Sequence, residues 1–133
     1  MKAAWYENIG PAANVLQVGD LPDPEPRAGE VRVRLHASGV NPSDVKNRAG
    51  QRGELKVPKQ IPDSDGAGVV DGVGEGVAGF SVGDRVWVYN AAFGRAFGTA
   101  AQYVCLPEVL VVPLPDSLEF AQGACLGIPA MTA

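Results

Sequence analysis

From Glu30 to Gly39 the chain alternates strictly. Val31, Val33, Leu35 and Ala37 interleave with Arg32, Arg34, His36 and Ser38. Period two with one apolar side predicts a half-buried strand. Asn41-Pro42-Ser43-Asp44 then breaks it, with a good N-cap at Asn41 and a proline suited to the first helical position, so a short helix is expected over 42–48, stopped near Gly50. Further strands are predicted at Met1–Glu7, Leu16–Gly19, Gly66–Val73, Arg85–Tyr89, Thr99–Leu106 and Val109–Val112. The glycines of 66–73 suggest a strand against which another backbone packs closely. Leu21–Pro26 carries three prolines and reads as a surface connection, and 51–62 as a loop. A helix capped by Asp116 or Ser117 is expected to run to about Leu126, with Pro129 ending or restarting it. Many short strands and little helix predict a mainly β domain, a small barrel or sandwich.

Composition narrows the class. The 133 residues include 17 glycines and 11 prolines, which favours turns over long helices. The net charge of −4 and the lack of a basic run speak against nucleic acid as a partner. Two cysteines, Cys105 and Cys125, make no disulfide framework, so a reducing cytoplasm is expected, with both thiols packed as small hydrophobes, Cys105 in a strand and Cys125 in a helix. No signal-peptide pattern opens the chain, and no apolar stretch approaches the roughly 18 residues of a membrane span, so no membrane role is expected.

Each candidate motif has an ordinary reading beside the chemical one. Gly74-Glu75-Gly76-Val77-Ala78-Gly79 matches a dinucleotide fingerprint literally, yet turn residues follow it instead of a helix whose N-terminus would meet a pyrophosphate. It is expected to be a turn. His36, the sole histidine, lies on the outward side of its strand and has no partners in a metal spacing or a triad. Among Asp63, Asp65 and Asp71, the ordinary role is that of turn carboxylates, with Asp65 excepted. Asn41, Ser43 and Asp44 are either simple caps or polar groups at a pocket mouth, and the pattern leaves both open.

The segments MKAAWYENIGPAANVL, PRAGEVRVRLHASGVNPSDVKNRAG, IPDSDGAGVVDGVGEGVAGFSVGDRVW and TAAQYVCLPEVLVVPLPDSLEFAQGACLGIPAMTA resemble, in order and spacing, the medium-chain dehydrogenase/reductase superfamily. The likeness is to its zinc-free quinone oxidoreductase (zeta-crystallin-like) branch. The resemblance implies a GroES-like, partly open β-barrel with two or three short helices as the catalytic, substrate-binding domain. It also implies that 1–133 is the N-terminal part of a longer enzyme, cut before its Rossmann NADP-binding domain. The alcohol dehydrogenase branch has a zinc-ligating Cys at the position of Asn41, and a His and a Glu at those of Ser64 and Asp65, so no metal is expected here. The implied reaction is hydride transfer from NADPH to a quinone or other activated small molecule. Asn41, Asp44 and Thr132 would lie near the nicotinamide, Thr132 within the G-x-x-x-T-A pattern of 127–133. The substrate pocket is assigned to Ser64, Asp65, Tyr89 and Phe93, with no catalytic residue singled out. A tyrosine frequent two residues after the Asp44 position is replaced by Lys46. An enoyl or 2-alkenal reductase on the same scaffold, a non-catalytic GroES-like binding or structural module, and a homodimeric parent enzyme stay open as alternatives.

Overall fold

The structure, a computed structural model, describes residues 1–133. Seven strands form: β1 (Lys2–Trp5), β2 (Gln17–Asp20), β3 (Glu30–Gly39), β4 (Asp65–Val73), β5 (Arg85–Val88), β6 (Tyr103–Pro107) and β7 (Val111–Pro113). β1 and β2 make a hairpin-like pair, and the others a five-stranded antiparallel sheet in the order β6-β3-β4-β5-β7. Four short helices accompany them: α1 (Ala12–Val15), α2 (Pro42–Arg48), α3 (Phe120–Gly123) and α4 (Ile128–Thr132). None is long and apolar enough to cross a membrane.

Chain connectivity forces the large sheet to curl. β6 and β7 occupy its opposite edges, yet only a single 3₁₀ turn, Glu108–Leu110, separates them. In a flat sheet those edges would stand about 19 Å apart, four strand spacings. The four peptide steps from Pro107 to Val111 span at most about 14 Å. The sheet therefore rolls into a partly open barrel, with β-bulges in the β3–β4 register at Arg32/Val33 and Leu35/Ala37 that admit the bend.

Valines fill the barrel. Val31, Val33, Val70, Val86, Val88, Val104 and Leu106 are at most 1% exposed and form one cluster with Ala91 and Val111. A smaller cluster of Ala67, Leu114 and Ala124, with Trp87, Phe120 and Leu126 beside it, seats α3 against β3, β4 and β5. His36 is exposed on the outer side of β3, as its alternation implies, and stacks on Phe120 with centroids 4.4 Å apart.

β3 and α2 fall where the pattern places them, and Gly74–Gly79 forms a turn with no helix after it. Other expectations need correction. The helix expected from Asp116 or Ser117 to Leu126 shrinks to α3. Residues 116–118 form a turn instead, with the Leu118 carbonyl taken by Arg85 Nη2 at 2.6 Å, and a Glu119–Gln122 capping bond starts the helix later. Cys125 thus follows the helix and is exposed, while Cys105 is half-buried in β6. Thr99 and Ala100 donate backbone bonds to Asp63 and Pro62, so β6 starts only at Tyr103. Val109 and Leu110 belong to the 3₁₀ turn, and the one-turn α1 carried no sequence signal.

The glycines of β4 do mark close backbone approach. A Cβ on Gly68 would lie 2.0 Å from the Arg34 carbonyl oxygen, whereas one on Gly72 would meet nothing nearer than 3.6 Å. Gly68→Ala is expected to cost about 1–3 kcal/mol through forced backbone movement, and Gly72→Ala less than about 0.5 kcal/mol. Urea unfolding of the two variants side by side checks the contrast.

Candidate functional site

The break after β3 delivers Asn41 and Asp44 to a common site with the first residues of β4. Pro42 fixes the first turn of α2, the Asp44 N–H bonds the Asn41 carbonyl at 3.0 Å, and the Asp44 carboxylate accepts from the Asn41 N–H at 2.8 Å. Both residues are buried. The Asn41 amide nitrogen donates to Asp65 Oδ2 at 2.8 Å, and the same oxygen accepts the Ile128 N–H at 3.0 Å. Asp65, fully buried, thus ties the start of α2 to the start of α4. Its other oxygen, Oδ1, is buried without a partner and faces Gly127, where a Cβ would come within 2.2 Å. Only glycine lets the chain pass there.

Asp63 completes a group of three buried carboxylates. It takes a left-handed conformation, φ 73°, which Asp tolerates better than most residues. Burial, then the neighbouring Asp44 charge, pushes its pKa up to about 6, against the lowering effect of a Ser38 bond. Asp44 and Asp65 are also raised, each mainly by burial. Tyr6 is raised by burial and then by Asp44.

A count of protons supports a neutral Asp63. Thr99 Oγ1 commits its one proton to the Asp65 carbonyl at 2.6 Å. Ser38 Oγ lies 2.8 Å from Thr99 Oγ1 and 3.1 Å from Asp63 Oδ2. With Asp63 ionised, Ser38 donates to it and the Ser38–Thr99 contact has no proton. With Asp63 protonated, all three contacts are bonded. Asp63 is thus a buried acid and not the turn carboxylate its sequence context suggests. Asp71 instead pairs with Arg32 at 2.8 Å.

Beside this cluster opens a cavity of about 530 Å³, walled by Tyr6, Asp44, Pro62, the 52–57 segment and the 92–95 loop. Of the residues assigned to the pocket, Phe93 sits at its edge, 79% exposed. Ser64 is buried next to Asp65, and its carbonyl accepts the Ala91 N–H. Tyr89 stands apart, its hydroxyl donating to the Val109 carbonyl at 2.8 Å, and does not line the cavity. Thr132 is exposed on α4 and bonds the Ile128 carbonyl, one turn from the residue that Asp65 holds. The structure therefore joins Asn41, Asp44, Ser64 and Asp65, with Thr132 tethered through α4. Sequence reasoning missed Tyr6, Ser38, Asp63 and Thr99, which come together only through the β3–β4 pairing and the return of 98–100 beside 61–63.

The raised Asp63 pKa sets a stability test. Unfolded, its pKa is near 3.9. The folded state holds the proton more tightly, so stability falls as pH rises from about 4 to 6 and the full penalty stands above that window. Asp63→Asn keeps a donor for Ser38 and removes the charge. It is expected to be more stable than the parent by on the order of 2–3 kcal/mol at pH 8. Near pH 4 the two should unfold alike. Chemical unfolding across pH checks this, and a pH-independent difference would contradict it.

Comparison with known proteins agrees with this architecture. The Alcohol dehydrogenase GroES-like domain family matches residues 27–116. The quinone oxidoreductase of Rattus norvegicus is 38% identical over 128 residues, 96% of this chain and 37% of that protein. Among solved structures, a quinone oxidoreductase from Pseudomonas syringae superposes with a TM-score of 0.87 at 33% identity, covering 98% of this chain and 38% of the other. A mycobacterial protein complexed with NADPH superposes with a TM-score of 0.82 at 30% identity, over 93% of this chain and 37% of the other. The chain thus spans little more than a third of the length of these relatives. With the family matched across the barrel, the chain belongs to the alcohol dehydrogenase GroES-like domain family, in the quinone oxidoreductase branch of the medium-chain dehydrogenases/reductases.

Proposed function

We propose that this chain is the substrate-binding domain of an NADPH-dependent quinone oxidoreductase that works without zinc, its nucleotide held largely by a further, Rossmann-type domain. The observation that carries the reading is the Asn41–Asp65 hydrogen bond. At the positions where the zinc-dependent branch places Cys, His and Glu, this chain has an amide, a hydroxyl and one carboxylate. The amide nitrogen is spent on Asp65, and that carboxylate is spent on Asn41 and Ile128. Such a donor set holds zinc poorly. Without a Lewis acid to polarise a carbonyl, the site suits an acceptor that is already electrophilic, a quinone or conjugated enone.

The residues present fit the nicotinamide end of the cofactor. Asn41 and Asp44 are fixed at the start of α2, and α4 presents Thr132 from an exposed turn that Asp65 anchors to the same point. Bound there, NADPH supplies the hydride. The acceptor occupies the cavity beside Asp44, with Phe93 at its rim. Quinone reduction also consumes a proton. Asp63 is the carboxyl that keeps its proton longest as pH rises, up to about 6, next to Asp44, which lines the cavity. The reading places the enzyme in the cytoplasm, with a small-molecule quinone or enone as its partner.

Two measurements test the proposal. The enzyme containing this chain should oxidise NADPH with a 1,4-benzoquinone, keep that activity after dialysis against a chelator, and leave simple alcohols untouched. Loss of quinone turnover on chelation would overturn the zinc-free reading. The isolated 133-residue chain should bind NADPH weakly, because a few nicotinamide hydrogen bonds at about 0.5–1.5 kcal/mol each barely offset the cost of immobilising the ligand. Micromolar affinity in calorimetry would show that the nucleotide site is self-contained.

A further inference from the structure

The cavity beside Asp44 has a charge pattern that a plain quinone does not use. Arg52 and Lys56 project from one wall and Arg95 from the loop opposite, against two acids, Asp44 and Glu54. None of the three cations is in an ion pair, although the chain as a whole is acidic. Elsewhere Lys2, Arg32, Lys59 and Arg85 each find a carboxylate, while Arg27, Arg34, Lys46 and Arg48 do not. Arg95 is half-buried, and its Nη groups bond no acceptor of the chain, while its Nε–H is enclosed beyond a ligand's reach. Its backbone is held in place, since its carbonyl accepts from Gln60 Nε2 at 2.9 Å. A guanidinium whose Nη groups are unpaired at a cavity wall has a planar carboxylate as its natural complement.

We infer that the acceptor bound in this cavity carries a carboxylate, which Arg95 binds and which Arg52 and Lys56 attract. Leu55, Val57 and Phe93 supply apolar surface for a ring, and about 530 Å³ accommodates a single ring with a short acidic side chain. The substrate class is thus a small carboxylated quinone or enone. The inference rests on the oxidoreductase reading only in taking the bound molecule to be the hydride acceptor.

The test pairs an acid with its ester. Binding of 2,5-dihydroxyphenylacetate, a product-like probe, and of its methyl ester is followed on the 133-residue chain by NMR under reducing conditions. The acid should bind about tenfold tighter, the equivalent of one charge-assisted contact. Arg95→Gln should abolish the preference, and Arg52→Gln with Lys56→Gln should reduce it and weaken its salt dependence, with native circular dichroism retained. Arg95→Lys, which keeps the charge without the fork, should fall between parent and Arg95→Gln. Equal affinity for acid and ester, or a preference that survives in Arg95→Gln, would overturn the inference, as would inorganic phosphate binding as tightly as the acid. Turnover of the corresponding quinones by the enzyme containing this chain separates the two claims. If both quinones are reduced equally well, the carboxylate site falls and the oxidoreductase reading stands. If the acid preference holds in binding but neither quinone is reduced, the anion site stands and the oxidoreductase reading falls.

Discussion

The buried carboxylate of Asp65 is the contact on which the site's geometry depends. One oxygen, Oδ2, receives the Asn41 amide and the Ile128 N–H, and so fixes the end of β3, the start of α2 and the start of α4 at one point. Asn41, Asp65 and Ile128 are far apart in sequence, and Asp65 meets the other two where water is excluded. A bond of this kind, with a charged or partly charged acceptor, contributes roughly twice what a neutral one does. The barrel of valines gives the domain its stability, but it does not by itself aim Asn41 or α4. Gly127 shows how tightly the clamp closes, because a side chain there would occupy the space of Asp65 Oδ1.

Placing three carboxylates together has an electrostatic consequence. Each loses hydration, Asp63 also feels the charges of Asp44 and Asp65, and Asp44 that of Asp65, so the cluster favours holding a proton. Which member holds it is decided by hydrogen bonds. Asp65 accepts two N–H groups and Asp44 accepts the Asn41 N–H, which favours their ionised forms. Asp63 has only a hydroxyl whose own proton is wanted by Thr99. The proton therefore settles on Asp63. The same physics that destabilises the fold above pH 6 keeps an acid within the site up to about that pH, well above the ordinary carboxylate range.

Much of this was legible in the chain, and the limits have physical causes. β3 and α2 were readable because period-two alternation, then Asn-Pro, are local signals. Asn41 and Asp44 could be picked out for the same reason. Asp63 could not, since its burial comes from Thr99 and Ser38, 36 and 25 residues away in the numbering, brought there by strand pairing. Tyr89 looked like a pocket residue at a strand end, but the 3₁₀ turn at Glu108–Leu110 offers its hydroxyl a carbonyl away from the cavity. The last helix was over-extended because propensity alone does not reveal that Arg85 would bind the Leu118 carbonyl, or that Asp65 would redirect the chain at Ile128.

The site divides into two parts of opposite character. On the β3–β4 side, the buried carboxylates of Asp44 and Asp65 stand at the starts of α2 and β4, and Asp63 in the short segment that leads into β4. On the other side, Arg52, Lys56 and Arg95 stand on irregular loops between strands, unpaired and partly open to solvent. On the proposed function, rigid elements suit the demand of presenting the nicotinamide in one orientation. Loops suit the variable demand of fitting an acceptor, since their sequence can change without disturbing the barrel. Lys46, on α2 between Asp44 and Asn47, is exposed and does not itself line the cavity. On the proposed function, a change in these loops would alter what the cavity accepts, while the carboxylate wall would keep the cofactor end as it is.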